Sequence, residues 1–201
     1  MSAQLVFSNK KLAVGLIAIA IIFVGYLALD MVSGSDVTVS ATVSTSVSCN
    51  TDITETAFGT LSVSSITTAT TDASTTMSCN YAAGCTLTIQ DSGSGSNPGL
   101  WNSANSYLIA SADATLAVGV EGYGIQVSAA PAGYGDTLTL STTYDKTGNV
   151  VGGLLRTATT LASTDSPTSG RTAKVVHKAS ISGLTTAGTY ADTITYGCTG
   201  N

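Results

Sequence analysis

The residues of this 201-residue chain with the most specific chemistry are four cysteines, one histidine, two glutamates and one tryptophan. Cys79 and Cys85 are separated by five residues, and Cys49 and Cys198 lie far from both. That spacing matches no tetrahedral zinc motif. An even number of cysteines in an exported chain reads instead as two disulfides, with three pairings open. The pleat ranks them. Met77 and Cys79 share one strand face, and Cys85, Leu87 and Ile89 share another. A hairpin closed by residues 80–84 sets Cys79 opposite Cys85 and leaves Cys49 for Cys198. Cys49–Cys79 with Cys85–Cys198 is the rival.

Nucleophilic catalysis needs an oriented base beside the nucleophile. The single imidazole, His177, lies in Lys174-Val175-Val176-His177-Lys178, which reads as a strand, and no G-x-S-x-G elbow occurs. Glu55 and Glu121 are the only glutamates and the best candidates for a glycosidase carboxylate pair, while the aspartates fall mostly in turn-like segments. Asp91-Ser92-Gly93-Ser94-Gly95-Ser96-Asn97 lacks the calcium-loop pattern. Trp101 follows a Pro-Gly turn. With Tyr107, Tyr123 and Tyr134 it forms the candidate contact set for a glycan or cell-wall polymer. No catalytic residue, metal or cofactor is expected.

Those residues must be positioned by strands. After residue 32, Ser and Thr alternate with apolar residues, the period-2 mark of strands with one buried face, and no helical period occurs. Val37–Cys49 is the longest such run, with Val37, Val39, Ala41, Val43, Val47 and Cys49 on one face. Further strands are expected at Ala57–Ser64, Ser74–Cys79, Cys85–Gln90, Tyr107–Ala110, Thr115–Val120, Tyr123–Ala129, Thr137–Tyr144, Val150–Leu155, Thr172–Ser180 and Thr189–Cys198. Gly, Asn, Asp and Ser clusters separate many of them. The expected fold is all-β, an immunoglobulin-like or pilin-like β-sandwich of about ten strands over residues 33–201.

Residues 12–29 form an 18-residue run without a charge, directly preceded by Lys10 and Lys11. Its helical length of about 27 Å nearly spans the bilayer core. The lysines predict a cytoplasmic segment over 1–11, an N-terminal transmembrane anchor or signal peptide over 12–32, and export of everything beyond. Seven Lys and Arg against 12 Asp and Glu give a net charge of −5. Nucleic acid, which needs clustered cations, is therefore excluded as a partner.

The segment Gly183-Leu184-Thr185-Thr186-Ala187-Gly188-Thr189-Tyr190-Ala191-Asp192-Thr193-Ile194-Thr195-Tyr196 resembles the closing strand of spore coat protein U-type domains, which are secreted, pilin-like sandwiches. Cys49 and Cys79 fall roughly where that family carries a cysteine pair, so the resemblance implies a Cys49–Cys79 bridge. The anchor followed by a Ser/Thr-rich strand domain is also similar to TasA-like and bundling-filament proteins and to other bacterial envelope proteins. In those filaments a subunit donates a strand to its neighbour.

The expected function is thus non-catalytic: a structural or adhesive cell-surface protein, possible as a filament subunit, held at the membrane or released after cleavage. Lys and Pro, the usual guards of exposed strand edges, are scarce, which favours self-association through strand edges or strand donation. A glycan-binding module built on Trp101, Tyr107, Tyr123 and Tyr134 is the alternative.

Overall fold

The computed structural model describes residues 35–201. The segment 1–11 and the apolar helix expected over 12–32 lie outside the described residues. The chain divides into two compact units at Val43 and Ser44. Residues 35–43 carry no strand and are exposed throughout, with Val37, Val39 and Val43 at 82%, 88% and 84%.

The second unit is all-β, and no helix occurs among the described residues. Its strands are β1 (Val47–Thr51), β2 (Thr67–Thr68), β3 (Ala73–Cys79), β4 (Cys85–Asp91), β5 (Gly99–Asn102), β6 (Tyr107–Ala110) and β7 (Ala114–Thr115). They continue as β8 (Gly122–Ala129), β9 (Tyr134–Gly135), β10 (Thr139–Leu140), β11 (Val150–Val151), β12 (Thr159–Ser163), β13 (Thr168–Ser180) and β14 (Ile194–Gly200).

The 13-residue β13 is the spine of the larger sheet. Both β3 and β8 pair with its residues 173–175, so they lie on opposite sides of it. Beyond β3 on one side sits β2, beside β8 on the other sits β9, and β1 forms the edge outside β3. The second sheet runs β10-β12-β4-β14. The two sheets share one core. Met77, Tyr123, Ile125, Val127 and Val175 enter it from the first, and Cys85, Leu87, Ile89 and Leu161 from the second. In β3 and β4 burial alternates strictly along all seven residues, as period-2 patterning requires.

The disulfides are Cys49–Cys198 and Cys79–Cys85. The pleat argument therefore ranked the pairing correctly, and the Cys49–Cys79 bridge implied by the resemblance to coat U-type domains does not form. The expected hairpin does not form either. β3 belongs to one sheet and β4 to the other, so the chain turns a corner between layers at residues 80–84. Gly84, at φ 74°, makes that turn close against the carbonyl of Thr164, where a Cβ would clash. Inward-facing cysteines meet across the core, and both bridges join layer to layer.

The long strand expected at Val37–Cys49 is reduced to β1. Its register begins with Val47 opposite Cys79, where β3 ends, and upstream of it the backbone pairing stops after Asn80 N–H donates to the Ser46 carbonyl. Residues 57–64 form no strand, 115–120 contributes only Thr115 at the end of β7, and 137–144 and 150–155 hold only the two-residue strands β10 and β11. The expected strand at 189–198 begins only at Ile194. β5 and β12 lie in segments with no strand expectation.

Candidate functional site

The body has two flanks where sheet edges end, and they are finished differently. On the β8 flank the segment 141–155 returns along the strand. Ile125 and Gly152 exchange backbone hydrogen bonds of 3.0 and 2.8 Å, and Val127 N–H donates to the Tyr144 carbonyl at 2.8 Å. Gln126 Nε2 donates to the carbonyls of Gly148 and Val150 at 3.1 and 2.6 Å. Beneath this cover Tyr144, Val151 and Leu154 are buried, and the Tyr144 hydroxyl shares a 2.9 Å bond with Thr159.

The opposite flank is formed by β1 and β14, the edges of the two sheets. They are joined by Cys49–Cys198, with Cα atoms 5.8 Å apart. Among the described residues no backbone hydrogen bond links the two strands, and each pairs on one side only. The ladder pattern fixes which groups are free. In the β4–β14 register, Ser92 N–H donates to the Thr193 carbonyl and Asn201 N–H to the Gly84 carbonyl. Because hydrogen-bonded pairs alternate, the odd residues 195, 197 and 199 bond to β4. The N–H and C=O groups of Ile194, Tyr196, Cys198 and Gly200 point outward. The same reasoning on β1, from Asn80 N–H to Ser46 O and Asp52 N–H to Ser74 O, turns Val47, Cys49 and Thr51 outward. Neither strand contains a charge or a proline. Their inward side chains, Cys49, Ile194, Tyr196 and Cys198, pack on the core yet remain partly exposed. The Tyr196 hydroxyl is buried without a hydrogen-bond partner. Chemically this flank offers an unguarded backbone ladder beside an incompletely covered core.

The other candidate residues do not converge. Tyr123 is buried in the core, and its hydroxyl shares a 2.9 Å bond with His177 Nδ1. His177 sits on β13, on the same buried face as Val175, and burial lowers its pKa to about 4, so the ring is neutral. Trp101 is half-buried, exchanges backbone hydrogen bonds with Ala191 at 2.8 and 3.0 Å, and lies against Gly95. Tyr107 donates to Glu121 Oε2 at 3.0 Å, which raises the phenol pKa, and stacks edge-on against Tyr190. Tyr134 is 82% exposed beside a shallow depression of about 380 Å³ that also takes in Ser46, Asn80 and Pro167. Glu55 is exposed, and Glu121 also accepts from Thr185 Oγ1 at 2.7 Å.

The carboxylates that do approach one another are Asp91 and Asp192, a pair that sequence reasoning missed. Asp91 is buried and forms an ion pair with Arg156 Nη1 at 3.1 Å. Its oxygens also accept from Gly93 N–H at 3.0 Å and Gly99 N–H at 2.7 Å. The Arg156 guanidinium in turn donates to the carbonyls of Gly93 and Gly95, so this group clamps the 92–99 loop. Burial, then the charge of Asp91, raises the Asp192 pKa to about 7. A signal was present: Asp91 continues the inward face of Cys85, Leu87 and Ile89, where a carboxylate must find partners. Among the described residues no cluster of His, Cys, Asp and Glu is arranged to hold a metal ion. No family model matches the chain, and no curated protein or solved structure matches it either.

Proposed function

We propose that this chain is a non-catalytic cell-surface subunit, structural or adhesive, whose immunoglobulin-like, pilin-like sandwich associates through strand edges. The observation that carries this reading is the β1–β14 flank, where strand-edge backbone groups find no ladder partner and the strands hold no lysine or proline. Soluble proteins guard such edges because backbone hydrogen bonds pair them with any strand that fits. Two layer-joining disulfides support an oxidising compartment outside the cytosol. The apolar run at 12–29 behind two lysines supports export with the N-terminus inside, as a membrane anchor or a cleaved signal. The Ser/Thr outward faces, with 9% charged residues overall, suit close packing of neutral surfaces.

The test is the size of the full chain, purified in mild detergent and from the growth medium, by light scattering over a broad concentration range and by electron microscopy. Ordered oligomers or filaments are expected. A monomer at every concentration and salt would remove the assembly reading.

A further inference from the structure

The end of β13 at Ser180 carries three tight turns side by side. β2 pairs with Lys178 and Ala179, and Gly122 of β8 pairs with Ser180. Residues 62–65, which precede β2, and 117–120, which precede β8, therefore lie at that end, and 182–185 follow β13 directly. Each turn closes with a hydrogen bond from its fourth N–H to its first carbonyl: Ser65 to Ser62, Val120 to Ala117 and Thr185 to Ser182, at 3.3, 3.2 and 3.2 Å. The turns are neighbours, with the Val63 carbonyl beside Gly119 and Thr185 Oγ1 donating to Glu121 Oε2 at 2.7 Å. Central turn positions are ordinarily filled by Gly, Pro, Asn, Asp or Ser. Here Val63, Val118 and Leu184 hold them, exposed at 46%, 57% and 89%, and Val120 closes the second turn at 57%. None of the four packs in the core, and no charged residue occurs in 59–70, 114–120 or 181–191.

We infer that these three turns seat Val63, Val118, Val120 and Leu184 in the headgroup–acyl boundary of a zwitterionic bilayer. Residue type favours lipid over a protein partner. Valine, leucine, serine and threonine are under-represented among the residues that anchor protein interfaces, where Trp, Tyr and Arg dominate. Valine and leucine nonetheless gain free energy on entering a membrane. Polarity agrees, because a turn entering an apolar phase must satisfy its own donors. Ser64 N–H donates to Ser62 Oγ at 3.3 Å, Leu184 N–H to Ser182 Oγ at 3.2 Å and Ser182 N–H to Thr185 Oγ1 at 3.0 Å. The Ser62 and Ser64 hydroxyls bond each other at 2.9 Å. Charge selects the lipid: turns without Lys or Arg, in a chain of net charge −5, offer anionic headgroups no attraction. The turns also stand far from where β1 begins. Val47 pairs with Cys79, and Cys79 with Thr168, the first residue of β13. The 13 residues of β13 separate the two ends by about 40 Å. This contact uses neither the β1 nor the β14 edge, so it goes beyond the assembly reading and stands separately from it.

The test reconstitutes the full chain in phosphatidylcholine vesicles whose acyl chains are either plain or brominated, bromine quenching only an indole that reaches it. Leu184→Trp places a reporter on one apex, and the unaltered chain supplies the Trp101 background. Emission from the reporter should fall at least twofold in the brominated vesicles. Adding Val63→Ser, Val118→Ser and Val120→Ser should abolish that quenching, and because these residues are exposed and outside the core, the body keeps its fold. Thr160→Trp, exposed on β12 of the second sheet, should be unquenched. The apolar run at 12–29 is common to every variant and cancels from the comparison. Quenching at Leu184→Trp that survives loss of the valines would mean that the indole enters by itself. Quenching at Thr160→Trp would mean adsorption of the whole body without regard to the turns. An unquenched Leu184→Trp would leave the turns to water or to a second copy. Each of these three results overturns the lipid contact, and none of them bears on association through strand edges.

Discussion

The two flanks of the body solve the same problem by different means. Along β8 the chain closes its own edge with backbone hydrogen bonds and buries Tyr144, Val151 and Leu154 beneath them. Along β1 and β14 it leaves the backbone unpaired, leaves the inward side chains partly exposed, and holds the layers with one covalent bond. A noncovalent seam needs area to be stable, whereas a disulfide does not. The disulfide therefore lets the fold keep an unpaired edge without the edge opening. The difference teaches that the open flank is not simply an unfinished copy of the closed one.

The largest break in that contrast is removal of the covalent seam. Cys49→Ala with Cys198→Ala opens a bridge between residues 149 apart. By the loop-entropy model it should cost about 5 kcal/mol, against about 2 kcal/mol for the short Cys79–Cys85 bridge. Urea unfolding of the two double variants should rank them in that order. Nearly equal losses would mean that packing, not the bridge, holds the open flank. On the closed flank the corresponding break is Tyr144→Ala, with a cost of about 3–5 kcal/mol from lost burial and the cavity left behind. It should lower the unfolding midpoint with both disulfides intact. A loss under about 1 kcal/mol would show the 141–155 cover to be dispensable.

Protonation sharpens the comparison, because two groups have folded pKa values displaced in opposite senses over the range from about 4 to about 7. His177 pairs in register with Ile125 on the closed side, and its folded pKa is near 4 against an ordinary 6.5. Between those values the unfolded chain binds a proton that the folded chain refuses. This group therefore makes stability fall as pH drops from 6.5 to 4, by about 3 kcal/mol in all. Asp192 precedes β14 on the open side, and its folded pKa is near 7 against an ordinary 3.8. There the folded chain holds the proton more tightly, so stability falls as pH rises through that interval. The two slopes oppose each other from about pH 4 to 6.5. Asp192→Asn should expose a stability that climbs with pH across this range, and His177→Gln one that declines. Parallel slopes in the two variants would show that these residues are not the groups titrating.

What the sequence made legible was parity. Alternation placed Met77, Cys79, Cys85, Leu87 and Ile89 on inward faces, and all are buried. From those faces the cysteine pairing followed. It could not say whether two consecutive strands pair or turn a corner, because a hairpin and a layer crossing share one alternation pattern. So the Asn80–Gly84 hairpin was wrong while its disulfide was right. Val37–Cys49 shows the converse: strand composition is local, but a strand exists only where a partner backbone lies alongside, and β3 stops opposite Val47. The aromatic candidates lie apart for a related reason. Tyr123 and Tyr134 look alike in turn-flanked segments, yet one falls on the inner face of β8 and the other on a two-residue strand in solvent.

The smallest expected effect bears most on what the open flank is for. Gln126 on the closed flank bonds two carbonyls, so Gln126→Leu should cost about 1 kcal/mol. Val39→Ser with Val43→Ser should cost the folded body nothing beyond about 0.5 kcal/mol, because burial stabilises only the area removed from water, and these side chains are 88% and 84% exposed. Unfolding must be followed at a concentration where the chain is monomeric, so that association adds nothing to the midpoint. A loss above about 1 kcal/mol would mean that the valines pack within their own copy. An unchanged midpoint together with lost assembly would locate their contribution between copies. Exposed valines gain nothing in water and contribute only where another surface removes them from it.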